Sequence, residues 1–291
     1  MSRAVKSSIM RPILAAAAAA GLLATAAPAL AASGAAHPHN IDYSFEGPFG
    51  KFDQEQLQRG YKVYREVCSS CHSLNLISFR NLGQKGGPFY DPEYVNPNDN
   101  PYVKQIASEF EVPDIDSETG DTVPRKATSA DRFPNPFPNE AAARGANGGA
   151  MPPDLSVITK ARHGGAEYVA GLLSDGYAPV PKGLTVPAGQ YYNKYIAGDL
   201  SSYWSGDKDH VPAGGFIAMP PQLTPGRVEF DDGTKSTTHQ QAEDVGAFLA
   251  WATDPKTEER HQTGFAVLLY LLGFAGLTYA SYRRIWRNVA H

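Results

Sequence analysis

The most constraining feature of this 291-residue sequence is the run Cys68-Ser69-Ser70-Cys71-His72, which contains the only two cysteines of the chain. Two thiols three positions apart, followed at once by a histidine, have the spacing that attaches a c-type haem. The thiols add to the vinyl groups of one haem, and the adjacent imidazole then lies beneath the iron as an axial ligand. This pattern favours electron transfer, and it requires a fold built around a covalently bound group.

Two other interpretations of Cys-x-x-Cys are weaker. A thiol–disulfide redox pair usually lies at the mouth of a βαβ unit, and no such sequence pattern surrounds Cys68. A zinc ribbon needs a second pair of ligands at matched spacing, which the sequence lacks. The sequence therefore predicts one haem c, bound through Cys68 and Cys71, with His72 on the iron.

The amino terminus has the features of a secretory signal peptide. Residues 1–11 carry three basic side chains, residues 13–27 are apolar, and residues 29–31 read Ala-Leu-Ala, which suits a signal peptidase. The alternative is a retained membrane helix, but the alanine-rich, leucine-poor composition and the cleavage site argue against it. We therefore predict that residues 1–31 are removed on export, in agreement with haem attachment on the far side of the membrane.

The carboxyl terminus contains a second apolar segment, residues 264–282, which has no charged residue. About 20 apolar residues span a bilayer core. Three arginines follow at once, and the positive-inside tendency places them in the cytoplasm. The alternative is a buried core helix, which would need a large domain on both sides. We predict a periplasmic haem domain over residues 32–262, an anchor over 263–282 and a cytoplasmic tail over 283–291, in a single-pass protein of the inner (plasma) membrane.

The charge of the exported domain is strongly negative. The whole chain has 26 basic and 30 acidic residues, and the signal peptide and tail account for six of the basic ones, which leaves a net charge of −10 for the domain. This sign attracts basic partners and disfavours nucleic acid. The alternative is that the acidic side chains only keep the domain soluble.

The composition predicts a mainly α fold. Glycine (28) and proline (23) are abundant, and hydrophobic periodicity is regular in only a few places, which indicates short helices with long irregular insertions rather than a sheet. A helix is predicted from about Gln54 into the haem motif, with Asp53 as its N-cap. Its apolar face brings Cys68 inward.

Two further helices are predicted downstream. One begins at a capping box formed by Thr238 and Gln241 and ends at Asp254. A weaker one covers about residues 167–173. A helix before the haem motif and another near the end of the domain is the arrangement of cytochrome c folds, in which these two helices cross.

Two regions carry no clear pattern. Residues 96–138 are predicted to be an extended excursion, acidic between positions 108 and 121, and either a partner-docking surface or a solvated loop. Residues 179–209 form a second irregular region, rich in tyrosine and glycine.

The second axial ligand must come from elsewhere in the chain, and methionine or histidine is usual. Two of the four methionines lie in the predicted signal peptide, which leaves Met151 and Met219, each followed by Pro-Pro. In cytochrome c folds the distal methionine lies shortly before the final helix. Met219 is 19 residues before Thr238, whereas Met151 is 87 before it. Position thus favours Met219, with Met151 as a gap-filling side chain in the haem pocket. His163 is a weaker alternative.

Several motifs together resemble the cytochrome c1 family, over about residues 42–287. They occupy positions 47–53, 56–60, 63–68, 152–156, 161–165, 219–221 and 231–234.

The resemblance implies a full set of site residues. A planar guanidinium suits pairing with a haem propionate. Cys68 and Cys71 are implied as thioethers and His72 and Met219 as iron ligands. Arg162 and Tyr168 are implied at a propionate, and Asn147, Pro152 and Pro153 at the pocket lining. The acidic segment 108–121 does not map onto the family core, and the extra cysteine pair of some bacterial relatives is missing.

The resemblance also implies a function. The chain would be the electron-carrying subunit of a ubiquinol–cytochrome c reductase (bc1) complex, and not an enzyme on its own. It would lie beside a cytochrome b subunit in a dimeric complex, accept electrons from the Rieske iron–sulfur subunit and pass them to a soluble or anchored cytochrome c. One alternative is an independent membrane-tethered cytochrome c. Another is a haem peroxidase, but that needs an open iron site, which Met219 would block.

Overall fold

The structure is a computed structural model that describes residues 35–288. The predicted signal peptide and the last three residues lie outside the described residues. The described residues belong to one unit that begins at Ala35.

The described part is mainly helical, as predicted. The helices are α1 (Gln54–Val63), α2 (Pro101–Ser108), α3 (Glu140–Ala146), α4 (Ile158–Ala161), α5 (Gly165–Leu173), α6 (Thr238–Thr253) and α7 (Thr257–Ile285). Two antiparallel ribbons accompany them, β1 (Glu111–Ile115) with β2 (Thr122–Lys126), and β3 (Tyr191–Asn193) with β4 (Gly215–Ile217). In register, Glu111 faces Lys126 and Tyr191 faces Ile217.

Helix α1 carries the chain into the Cys-x-x-Cys-His motif, as predicted. Its N-cap is Asp53, whose carboxylate accepts a hydrogen bond from the Gln56 N–H at 3.0 Å. After Val63 the helix widens into a π-helical turn, Tyr64–Cys68, in which the Ser69 N–H donates to the Tyr64 carbonyl at 2.8 Å. Helix α1 and this turn therefore form one continuous helical element that ends at Cys68.

Helices α1 and α6 cross, which confirms the predicted arrangement. Gly60 lies at the crossing, where an added Cβ would overlap the Asp244 carbonyl. Arg59 binds the Asp244 carboxylate through Nε at 2.9 Å and reaches Asp232 through Nη1 at 2.7 Å. Because Asp244 is fully buried, this ion pair holds the two helices in one register.

Helix α6 begins at Thr238, as predicted, but its capping residue is one position earlier than predicted. Its N-cap is Thr237, whose hydroxyl accepts from the Gln240 N–H at 3.1 Å. The predicted capping box of Thr238 and Gln241 is wrong, because Gln241 is buried and its amide donates to the Thr224 carbonyl at 2.8 Å. The predicted end at Asp254 is confirmed. The helix expected over residues 167–173 also forms, beginning two residues earlier at Gly165.

The two regions expected to be irregular contain regular structure. Residues 96–138 include α2, capped by Asn100, and the β1–β2 ribbon, so this excursion has more regular structure than was predicted. The ribbon is rooted in the core, since Phe110 contacts Phe79 at a ring-centroid distance of 5.0 Å. The second region contains β3, which pairs with β4.

Helix α7 is a candidate membrane span by its length and composition. From Gln262 onward its side chains are exposed, which argues against the alternative of a buried core helix. Only residues 254–256 separate α6 from α7. The first turn of α7 is tied to the domain, because Glu258 accepts a hydrogen bond from the Phe52 N–H at 3.0 Å.

Candidate functional site

The Cys-x-x-Cys-His residues form a tight turn at the end of the π-helical segment. The N–H groups of Cys71 and His72 both donate to the Cys68 carbonyl, at 3.0 and 2.9 Å. Cys68 and Cys71 are not joined by a disulfide, and both are half-buried. Burial, with a smaller contribution from Cys71, raises the pKa of Cys68 to about 12. A thiol–disulfide oxidoreductase needs a lowered thiol pKa, so this environment argues against that class of protein.

The imidazole of His72 is oriented by a contact 81 residues away in the chain. Its Nδ1 lies 2.8 Å from the Pro153 carbonyl oxygen. Because a carbonyl only accepts, Nδ1 carries the proton and Nε2 keeps its lone pair for a metal. Burial lowers the pKa of His72, which favours the neutral form that a ligand requires. The structure thus brings Pro153 to His72 through the backbone carbonyl of the proline.

Asp154, for which the sequence predicts no role, fastens residues 152–156 to the turn. The carboxylate of Asp154 accepts hydrogen bonds from the Ser73 hydroxyl at 2.7 Å, the Asn75 N–H at 2.8 Å and the Ser156 N–H at 2.8 Å. Burial alone would raise the pKa of Asp154, but these hydrogen bonds outweigh it and lower the pKa. An Asp two positions before a Ser signals such a turn, but its long-range partners cannot be read from sequence.

The two candidate methionines differ in burial. Met219 is half-buried and lies two residues beyond β4, with its carbonyl accepting a hydrogen bond from the Tyr177 hydroxyl at 2.8 Å. Met151 is 46% exposed. A thioether that ligates iron must be shielded from water in the haem pocket, so the burial supports Met219 over Met151.

Arg162 and Tyr168 lie beside each other. Arg162 is exposed after α4, and its Nη1 donates to the Ala161 carbonyl at 3.1 Å. Tyr168 is half-buried on α5. Burial raises the pKa of Tyr168, and the nearby guanidinium of Arg162 opposes that shift. The pair therefore presents a positive charge and a protonated phenol together, which is a suitable environment for a carboxylate.

Asn147 and Pro152 are less closely connected to the turn. Asn147 ends α3, and its side-chain amide donates to the Ala143 carbonyl at 2.7 Å within the same helix. Pro152 immediately precedes the carbonyl that binds His72. The pocket-lining roles of both residues stay predictions.

The donor set fits a haem c. Two free thiols, an imidazole with a free Nε2 and a half-buried thioether are the groups that such a haem requires. The Arg162–Tyr168 pair could accommodate a propionate.

Comparison with known proteins agrees with this chemistry. The sequence model of the Cytochrome C1 family matches residues 43–289. The chain is 39% identical to cytochrome c1 of Rhodospirillum rubrum over 93% of its length and 95% of that protein. It is 39% identical to the mitochondrial cytochrome c1 heme protein of Saccharomyces cerevisiae, over 85% of its length and 71% of the relative.

A third relative is longer. It is the protein named cytochrome b/c1 of Bradyrhizobium diazoefficiens, 41% identical over 89% of this chain, which spans only 37% of that relative's length. The family match covers most of the chain and includes the whole haem turn. The chain therefore belongs to the cytochrome c1 family, the subunits of the bc1 complex that carry one covalently bound haem c and transfer its electrons.

Proposed function

We propose that this chain relays single electrons from a Rieske iron–sulfur subunit to a cytochrome c acceptor, as the anchored subunit of a quinol–cytochrome c reductase. The observation that carries the proposal is the His72 geometry. Its imidazole is held at 2.8 Å from the Pro153 carbonyl, which leaves Nε2 free beside two free thiols. Membership of the cytochrome c1 family indicates that the group held by these side chains is a haem c.

Four side chains would hold the haem. Cys68 and Cys71 would form the thioethers, and His72 and Met219 would bind the iron. When bound, the haem supplies one-electron chemistry by alternating between ferrous and ferric iron. With His72 and Met219 on the iron, no substrate would bind there, so the chain would transfer electrons and not act as an enzyme on its own.

Arg162 and Tyr168 hold a propionate in this proposal. The exposed guanidinium compensates its charge and the phenol donates a hydrogen bond to it. Asn147 and Pro153 contribute to the pocket lining, and the carbonyl of Pro153 also orients His72.

The orientation in the membrane follows from the anchor. Helix α7 has exposed apolar side chains, and three arginines follow its apolar stretch, at positions 283, 284 and 287. The positive-inside tendency keeps these arginines in the cytoplasm and the haem domain in the periplasm. Removal of residues 1–31 completes the mature protein.

The partners proposed in the membrane are a cytochrome b subunit and a second copy of the complex. The relative named cytochrome b/c1 carries both names on one chain, which supports a cytochrome b beside this anchor. The short connection between α6 and α7 supports a rigid subunit rather than an independent tethered shuttle, which would need a flexible linker.

Copurification tests this assignment. We expect the chain, solubilised in mild detergent, to remain with a b-type cytochrome and an iron–sulfur protein, and its haem to be reduced by quinol. Isolation as a monomer that quinol does not reduce would favour the tethered shuttle instead.

The acceptor is proposed to dock at the tip of the β1–β2 ribbon. Three carboxylates on β1 and just before it are neutralised, because Glu109, Glu111 and Asp114 pair with Arg65, Lys126 and Arg125. In the part of the chain that the structure describes, no ion pair involves the tip residues, which are Asp116, Glu118 and Asp121. The negative charge of the ribbon is therefore concentrated at its tip, where a basic cytochrome c would be attracted.

Neutralising the tip should slow the acceptor reaction. For the triple variant D116N/E118Q/D121N we expect oxidation by a basic cytochrome c to be about tenfold slower at low salt, with a weaker dependence on ionic strength, because electrostatic steering is lost. Stopped-flow kinetics over a salt series measures both quantities.

The matched control has the same change in net charge. The variant E109Q/E111Q/D114N removes carboxylates that are already paired, so we expect a much smaller effect on the rate. Equal slowing in both variants would show that total charge, and not the tip, attracts the acceptor.

A further inference from the structure

Tyr177 lies where a long loop of the chain closes on itself. Residues 177–219 leave the end of α5 and return to Met219. The Tyr177 hydroxyl donates to the Met219 carbonyl at 2.8 Å and lies 3.4 Å from the Pro220 carbonyl. One phenol therefore joins the first residue of the loop to the last.

The segment before Tyr177 is firmly held. Asp175 accepts hydrogen bonds from Lys194 Nζ at 2.9 Å and from the Tyr195 hydroxyl at 2.8 Å, and His39 Nε2 lies 3.1 Å away. The buried amide of Asn193 donates to the Leu172 carbonyl at 3.0 Å. These contacts tie the end of α5 to β3, so the backbone before Tyr177 is a fixed point.

The hydrogen bonds of the β3–β4 ribbon do not extend as far as Met219. The β3–β4 ladder ends at the pairing of Tyr191 with Ile217, two residues before Met219. In the described part of the chain, the backbone of Met219 is then held by the Tyr177 phenol and not by the ladder.

We propose that Tyr177 is a positioning residue for Met219, whose backbone it fixes so that the thioether stays directed at the haem iron. This rests on the proposed function, in which Met219 is the distal ligand. A thioether is a soft, neutral ligand and binds ferric iron weakly, so its position decides how often the bond opens. Removing the phenol hydroxyl would let residues 218–220 move and would raise the fraction of ferric haem without its thioether.

Imidazole binding to the ferric full-length protein measures the fraction of haem without its thioether, because imidazole competes with Met219 for the iron. Tyr177→Phe removes only the hydroxyl. The loss of one hydrogen bond corresponds to about a fivefold change in an equilibrium. We therefore expect imidazole to bind about fivefold more tightly to Tyr177→Phe than to the unmodified protein. The haem absorbance follows the titration, so only haem-loaded molecules contribute.

Tyr192→Phe is the matched control. It removes another phenol-to-carbonyl hydrogen bond of the same loop, to Ala213 at 2.6 Å, away from Met219. We expect its imidazole affinity to stay close to that of the unmodified protein. An equal tightening in both variants would show a general loss of loop stability and would overturn the positioning role.

Met219→Leu in the same titration tests separately whether Met219 is the ligand and whether Tyr177 positions it. If it tightens imidazole binding while Tyr177→Phe leaves it unchanged, Met219 stands as the ligand and the role of Tyr177 is overturned. If Met219→Leu itself has no effect, Met219 is not the ligand and both proposals fail.

Discussion

Met219→Leu is expected to lower the reduction potential of the haem by about 100 mV or more and to let carbon monoxide bind to the ferrous form. Axial ligands set haem potentials over a range of about 0.8 V, and methionine with histidine gives the higher values. For a one-electron couple, about 59 mV is a tenfold change, so about 100 mV disfavours electron acceptance about fiftyfold. A redox titration of the membrane preparation, followed at the haem c absorbance, measures the shift.

Met151→Leu is the matched control, because both methionines precede Pro-Pro. Met151 is 46% exposed, so its replacement should leave the potential and the response to carbon monoxide unchanged. A potential that moves with Met151 and not with Met219 would show that Met151 is the ligand.

The helix signals in the sequence were sufficient to predict both ends of α6, but not the residue that caps its start. The run Thr237-Thr238-His239-Gln240-Gln241 satisfies the capping-box pattern in two registers. Local sequence does not distinguish them. The choice is made by tertiary packing, since burying Gln241 with its amide bonded to Thr224 places Thr237 at the cap.

The β1–β2 ribbon was missed for a related reason. Each strand has a proline at its centre, and proline inside a run argues against a strand. In the structure Pro113 and Pro124 face each other in register. A two-stranded ribbon has only edge strands, so it tolerates a residue that donates no hydrogen bond in the ladder.

Some features of the site depend on neighbouring residues in the sequence, and others depend on contacts between distant residues. The spacing of Cys68, Cys71 and His72 is contained in five residues and was readable at once. The orientation of His72 depends on the Pro153 carbonyl, 81 residues away, and the Tyr177–Met219 contact spans 42 residues. Neither contact has a periodic signature, so both became visible only in the folded chain.

The second large effect is expected at the crossing of α1 and α6. Gly60→Ala should reduce the free energy of unfolding by about 3 kcal/mol, the upper end of the usual range for overpacking. The added Cβ would overlap the Asp244 carbonyl oxygen and lie 2.7 Å from Phe248 Cβ. Because the first obstacle is backbone, a side-chain rotation cannot relieve it, and the helices must separate. Urea unfolding of the haem-loaded protein in detergent measures the loss.

Gly145→Ala isolates the cause of that loss. Gly145 also lies within a helix, α3, but nothing is within 4 Å of its added Cβ. Alanine is favoured over glycine in helices by about 1 kcal/mol, so this variant should be unchanged or slightly more stable. Both substitutions replace a helical glycine by alanine, so the difference between them reports mainly the close contact at the crossing. Since α1 leads directly to Cys68, Gly60→Ala should also lower the haem content of the protein, whereas a Gly60→Ala protein with normal stability and haem content would contradict the close crossing.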